Sequence, residues 1–92
     1  MEAFEAEVAR QVGRRIRSRR RFLDMTQEEL AFRSEVHRTQ FTLIERGRRQ
    51  PRIHTLIRIA TVLDLSPCQL LEGISWEPAR PACREEGEGE DG

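Results

Sequence analysis

Between Thr26 and Gly73 the sequence is cut by helix-start and helix-stop signals at such short intervals that no helix there can run beyond about three turns. Thr26-Gln27-Glu28-Glu29 is a capping box. The threonine hydroxyl can accept from the Glu29 amide, and Glu29 can reach back to the Thr26 amide. A short helix is expected from Gln27 to Arg33, burying Leu30 and Ala31. Ser34-Glu35-Val36 follows as a tight turn. A third helix then runs from about Arg38 to Arg46, with Phe41 and Ile44 inward, and Gly47 stops it. Pro51 forbids continuous helix through the basic loop Arg48-Arg49-Gln50-Pro51-Arg52. A fourth helix over about His54 to Leu63 is expected to pack Leu56, Ile57, Ala60 and Leu63, with Ile53 stapling its start. Ser66-Pro67-Cys68-Gln69 supplies a cap, an N1 proline and a capping glutamine for a last short helix holding Leu70 and Leu71, which Gly73 can end. Upstream, Val8, Val12 and Ile16 recur every four residues and Leu23 follows a heptad later, which predicts a first helix from about Glu7 to Phe22. Asp24 interrupts that stripe and can take the left-handed conformation that ends a helix. The fold class is all-α: five helices in one small domain over residues 8–73.

The charge distribution narrows the partner. The 92 residues carry sixteen basic and sixteen acidic groups, and every basic one is arginine. They are segregated: residues 1–7 hold three acids, residues 8–73 hold fourteen arginines against seven acids, and residues 74–92 hold six acids against two arginines. A basic body between acidic ends points to a polyanion. Each arginine presents a planar fork suited to phosphate and guanine. Pro78, Pro81 and the Glu/Gly run from Glu85 to Gly92 bury nothing and repel themselves, so residues 80–92 read as a disordered acidic tail. Ile74 and Trp76, within a segment spanning 74–79, are large apolar groups that should find a surface.

Several classes are disfavoured. No apolar run approaches a membrane span and the acidic start is unlike a signal peptide, so a cytoplasmic protein is expected. Cys68 and Cys83 are too few for a disulfide scaffold and lack neighbours at zinc-ligand spacing, so they read as a helix residue and a tail thiol. No nucleophile stands at recognisable spacing from His37 or His54, and there is no glycine-rich phosphate loop. No catalytic residue, metal or cofactor is implied.

Two short helices joined by a three-residue turn and framed by others form a helix–turn–helix pattern. The text that fills it is specific: Gly13-Arg14-Arg15-Ile16-Arg17, Met25-Thr26-Gln27-Glu28-Glu29-Leu30-Ala31, Val36, Ile44-Glu45-Arg46-Gly47-Arg48-Arg49, Pro51, Thr55-Leu56, Arg58-Ile59-Ala60 and Leu65-Ser66-Pro67. From Val12 to Leu71 the chain resembles the XRE-type helix–turn–helix domains of phage repressor and Cro proteins, with the five-helix lambda-repressor-like fold.

The resemblance implies roles. The third helix would enter the major groove, with Arg38, Thr39, Thr42 and Leu43 at base edges and His37 and Gln40 flanking. Gln27, Arg46, Arg48, Arg49 and Arg52 would meet the DNA backbone, with Arg14 and Arg17 as further phosphate contacts. Arg20 and Glu45 match the family's structural ion pair. Asp24, Glu35 and Asp64 stand where the family often has left-handed glycine, and Glu35 in particular predicts a turn strained by about 1 kcal/mol. His37 and Arg52 replace the usual Ser or Thr caps, so weaker capping is expected there.

A single recognition helix reads few bases, so a homodimer on a pseudo-palindromic operator is expected, with the dimer contact at Leu70, Ile74 and Trp76. The leading expectation is a small dimeric transcriptional regulator binding double-stranded DNA. The chain leaves no room for a folded effector domain, which favours a stand-alone regulator such as a restriction–modification controller, or an autoregulator. The rival is a protein-interaction module, or an antitoxin-type component whose C-terminal tail binds a protein partner.

Overall fold

Glu2 opens the first helix. Its main-chain N–H donates to Glu5 Oε1 at 3.1 Å, which caps the start and sets an acid against the positive end of the dipole. α1 (Ala3–Phe22) therefore begins four residues before the Glu7 start expected from the valine stripe, and residues 3–6 are its first turn. α2 (Gln27–Arg33), α3 (Arg38–Glu45), α4 (Ile53–Val62) and α5 (Pro67–Leu71) follow. These elements come from a computed structural model that describes residues 2–78. The acidic tail expected over residues 80–92, and Cys83 within it, lie outside the described residues. Those described are all-α, with no strand, and no helix among them is long and apolar enough to cross a membrane.

Four helices end by one device. At the close of α1, the Met25 N–H bonds the Arg20 carbonyl and the Asp24 N–H bonds the Arg21 carbonyl. The same paired pattern recurs after α2 at Glu35 and Val36, after α3 at Gly47 and Arg48, and after α4 at Asp64 and Leu65. This is the Schellman motif, and its pivot must be left-handed. The pivots are Asp24 (φ 62°), Glu35 (φ 59°), Gly47 (φ 74°) and Asp64 (φ 60°). Three of the four are acidic residues where glycine is free of strain. Met25, Val36 and Leu65, one residue on, then pack against the core. Glu35 is exposed and no hydrogen bond or ion pair of its side chain is made among the described residues, so Glu35→Gly is expected to stabilise the protein by about 1 kcal/mol, read as a raised urea midpoint with unchanged m-value.

The helix starts are mixed. Thr26 Oγ1 accepts from the Glu29 N–H at 3.0 Å. The return half of that box is not made among the described residues, and the Glu29 carboxylate lies 3.8 Å from Arg33. Ser66 and Gln69 form the expected pair, with the Ser66 N–H donating to Gln69 Oε1 at 2.9 Å. His37 caps better than its residue type suggested: its Nδ1 accepts from the Thr39 N–H at 3.1 Å. Arg52 makes no side-chain cap.

The core is assembled from one stripe of each helix. Val12 and Ile16 of α1 meet Leu30, Phe41, Ile59 and Leu63, among others. On α4 and its C-cap the inward positions are Leu56, Ile59, Ala60 and Leu63, while Ile57, expected inside, is 45% exposed. Spacing decides it: 56, 59, 60 and 63 fall on one helical face and 57 does not. α1 packs on α3 and α5, α2 on α3 and α4, and α4 on α5. Two α1 arginines bind the assembly from outside. Arg15 Nη1 donates to the Leu70 carbonyl at 3.2 Å and Arg19 Nε to the Leu63 carbonyl at 3.0 Å. Both place a cation at a helix C-terminus, where the dipole favours it. Arg19 also lies over the Phe22 ring at 5.1 Å, a cation–π contact. Arg58 Nε donates to the Ser34 carbonyl at 2.8 Å and ties the α2–α3 turn to α4.

Candidate nucleic-acid interface

α3 has a buried side and a solvent side. Phe41, Ile44 and Glu45 face inward, which leaves Arg38, Thr39, Thr42 and Leu43 toward solvent. Arg38 and Thr39 are exposed, while Thr42 and Leu43 are half-buried. The helix cannot rotate about this choice, because a fully buried Phe41 and a buried, charged Glu45 fix it.

Glu45 is held by a network that reaches the solvent face. Its Oε2 accepts from Arg20 Nε at 2.6 Å and its Oε1 from Arg20 Nη2 at 3.1 Å. Gln27 Nε2 donates to the same Oε1 at 2.6 Å. Gln27 Oε1 in turn accepts from Thr42 Oγ1 at 3.4 Å. Arg20 completes its fork by donating to the Met25 carbonyl at 2.8 Å. A bidentate pair with every oxygen satisfied is the condition under which a buried charge is tolerated. The pair fixes the start of the α1–α2 turn and the end of α3 relative to one another. Gln27 is thus half-buried and its side-chain amide is engaged within the protein. What its position offers a phosphate is the main-chain N–H at the first turn of α2, which has no intrahelical acceptor.

The arginines after α3 diverge to two sides of it. Arg46 and Arg48 share a groove with Arg10, Arg14 and Arg17 of α1. Glu45 is the one acid lining that groove, and Arg20 already pairs with it. Arg49 and Arg52 lie on the other side, in a cleft with His37, Gln40, His54 and Arg58. Arg49 Nη1 donates to Gln40 Oε1 at 2.8 Å. The α1 side adds Arg10 and Arg21 to the expected Arg14 and Arg17. Arg10, Arg14, Arg17 and Arg21 are spaced by four, three and four, one helical face, and Arg14, Arg17 and Arg21 line a second shallow groove that continues the first. That periodicity was available in the sequence. Arg10 also pairs with Glu7.

Several large apolar groups are exposed, among them Leu71 and Trp76 near the C-terminal end of the described residues. Leu70 was expected at a dimer contact, and this is corrected: it is fully buried in the protomer's own core. Its neighbour Leu71 is the exposed one, at 40%, because α5 turns one side chain in and the next out. Trp76 is exposed and Ile74 half-buried. Phe4 of α1, unremarked in the sequence, places its ring 6.4 Å from that of Trp76. It extends the Val8, Val12, Ile16 stripe back by one period.

Comparison with known proteins gives this geometry its relatives. A helix-turn-helix family model matches residues 16–70. The control protein C.BamHI of Bacillus amyloliquefaciens is 39% identical over 49 residues, a stretch that is 53% of this chain and spans only 60% of that protein's length. The restriction-modification controller protein C.AhdI from Aeromonas hydrophila superposes with a TM-score of 0.65 at 34% identity, over 67% of this chain and 94% of that one. The DNA-binding domain of the P22 C2 repressor superposes with a TM-score of 0.65 at 32% identity, over 70% of this chain and 86% of that one. With its matched core and its five-helix lambda-repressor-like architecture, the chain belongs to the helix-turn-helix family of DNA-binding regulators.

Proposed function

We propose that this protein is a small dimeric transcriptional regulator that binds a specific double-stranded DNA site with α3 in the major groove. The observation that carries the reading is the solvent face of α3, with arginine-lined grooves on both sides of it. Arg38, Thr39 and Thr42 meet base edges there, and Leu43 offers apolar contact to a thymine methyl. Arg46, Arg48, Arg14 and Arg17 take phosphates on one side, joined by Arg10. Arg49 and Arg52 take them on the other, and the first turn of α2 at Gln27 adds its free N–H. Two such faces are joined through Leu71, Ile74, Trp76 and Phe4, giving a pseudo-palindromic operator with half-sites about one helical turn apart. The controller proteins among the relatives favour a regulator that occupies a promoter and there blocks or recruits polymerase.

Selection from a random duplex pool, followed by anisotropy on the enriched site across salt concentrations, tests this directly. An enriched palindrome with a steep salt slope is expected. Absence of binding at low salt by the folded protein overturns the reading and favours the protein-interaction alternative. Within the site the two kinds of arginine separate. Arg38→Ala is expected to lose about 1–3 kcal/mol of discrimination at one base pair. Arg48→Ala is expected to weaken all sequences alike and to reduce the salt slope by about one. Equal sequence preference in the two variants refutes that division.

A further inference from the structure

The first two residues of α2 grip two successive turns of α3. Gln27 accepts from Thr42, and Glu28 Oε2 lies 2.6 Å from Arg38 Nη1. Arg38 and Thr42 are one helical turn apart on the solvent side of α3. The Glu28–Arg38 pair is two-thirds exposed at both ends, so it adds little to stability. Its place in the structure is informative. Arg38 is the first residue of α3, where a cation opposes the helix dipole, and Glu28 supplies the opposite charge. A carboxylate on this face also repels phosphate, which a surface built only for generic DNA attraction has no reason to carry. A guanidinium has five N–H groups, and a carboxylate that takes part of the fork leaves the rest directed outward.

We infer that Glu28 is a positioning residue for base reading. Its carboxylate holds the Arg38 guanidinium against α2, so that the guanidinium is presented to a base edge in one orientation and is withheld from neighbouring phosphates. The inference rests on the DNA-binding reading above and adds a specificity-determining residue to it. The group recognised remains the base that Arg38 meets, a guanine by the chemistry of its O6 and N7 acceptors. Glu28 sets how strongly that base is preferred over the rest of the duplex.

The test is anisotropy with Glu28→Ala and Glu28→Gln, each alone and combined with Arg38→Ala. The duplexes are the selected site, the same site with each guanine replaced in turn, and a random duplex, at several salt concentrations. Glu28→Ala is expected to lower the ratio of site to random affinity about three- to fivefold, mainly through tighter random binding. Its salt slope is expected to steepen by about one, as Arg38 becomes free to take a phosphate. Glu28→Gln keeps an acceptor oxygen without the charge and should fall between wild type and alanine. In the Arg38→Ala background, Glu28→Ala should leave base preference unchanged. If wild type selects a site and Glu28→Ala keeps the full ratio, the positioning role is wrong and the DNA reading stands. If the loss persists without Arg38, Glu28 touches a base itself and the inference is overturned. If wild type selects no sequence, the DNA reading fails and this inference falls with it.

Discussion

Glu45→Ala is expected to destabilise the protein by about 3–5 kcal/mol, enough to unfold much of a small domain at 37 °C. The Glu45 side chain is 1% exposed and that of Arg20 is 10% exposed. Truncating the acid strands a buried guanidinium and removes the partner of the Gln27 amide in one step. Arg20→Ala should cost a similar amount, because it leaves a buried carboxylate with Gln27 as its remaining side-chain donor. The double variant Arg20→Met/Glu45→Leu separates electrostatics from packing. With both charges gone and volume restored, most of the lost stability should return, since removing a whole buried pair costs far less than breaking one. Binding should not return in step. Gln27 loses its anchor in the double variant, and with it the hold on Thr42 at the α3 face. Denaturant melts followed by anisotropy on the refolded double variant check both halves. Recovery of stability together with full sequence preference would remove the link from the ion pair to the reading face.

Gly13→Ala is the second large effect. In an exposed helix, alanine is better than glycine by about 1 kcal/mol. At residue 13 a Cβ would stand 2.5 Å from the Ile44 carbonyl oxygen and 2.7 Å from that of Glu45. Both are backbone atoms at the end of α3, so no side chain can swing away. The two helices must separate, and overpacking of this kind costs about 1–3 kcal/mol, more where backbone opposes it. A net loss of about 2 kcal/mol is expected despite the propensity gain. The same separation moves Arg46 and Arg48 away from Arg10, Arg14 and Arg17, so DNA affinity should fall further than stability alone explains. Gly73→Ala is the control. Its φ is +79° but nothing lies within 4 Å of the added carbon, so it should lose only about 1 kcal/mol of conformational energy and leave the α1–α3 contact intact. Comparable losses at residues 13 and 73 would deny that α1 and α3 are in backbone contact.

Much of this protein was legible as text. The capping box at Thr26, the Ser66-Pro67 start, the Pro51 break and the apolar stripes are local signals. Local signals survive into the fold because they act through hydrogen bonds and dihedrals within a few residues. Helix order, the inward Leu30, Phe41 and Ile44, and the family resemblance all rest on them. The left-handed pivot at Asp24 was expected on the same ground, and those at Glu35 and Asp64 from the family resemblance. One signal was read only in part: Arg14 and Arg17 were expected as phosphate contacts, while Arg10 and Arg21 of the same α1 face stayed hidden among other arginines of identical chemistry.

What the tertiary structure decided is which of several equivalent residues does which job. Sixteen arginines look alike in a sequence, yet Arg15 and Arg19 cap carbonyls, Arg20 is buried on Glu45, and Arg14 and Arg17 line a groove. Leu70 and Leu71 are one residue apart and of one type, yet one fills the core and the other faces solvent. The bond from Gln27 to Glu45 spans eighteen residues, and the 2.6 Å approach of Glu28 to Arg38 joins two helices. Composition and periodicity are sums over neighbours along the chain. The direction of a side chain is set by atoms brought near it from elsewhere in the chain, and only the packed helices supply those atoms.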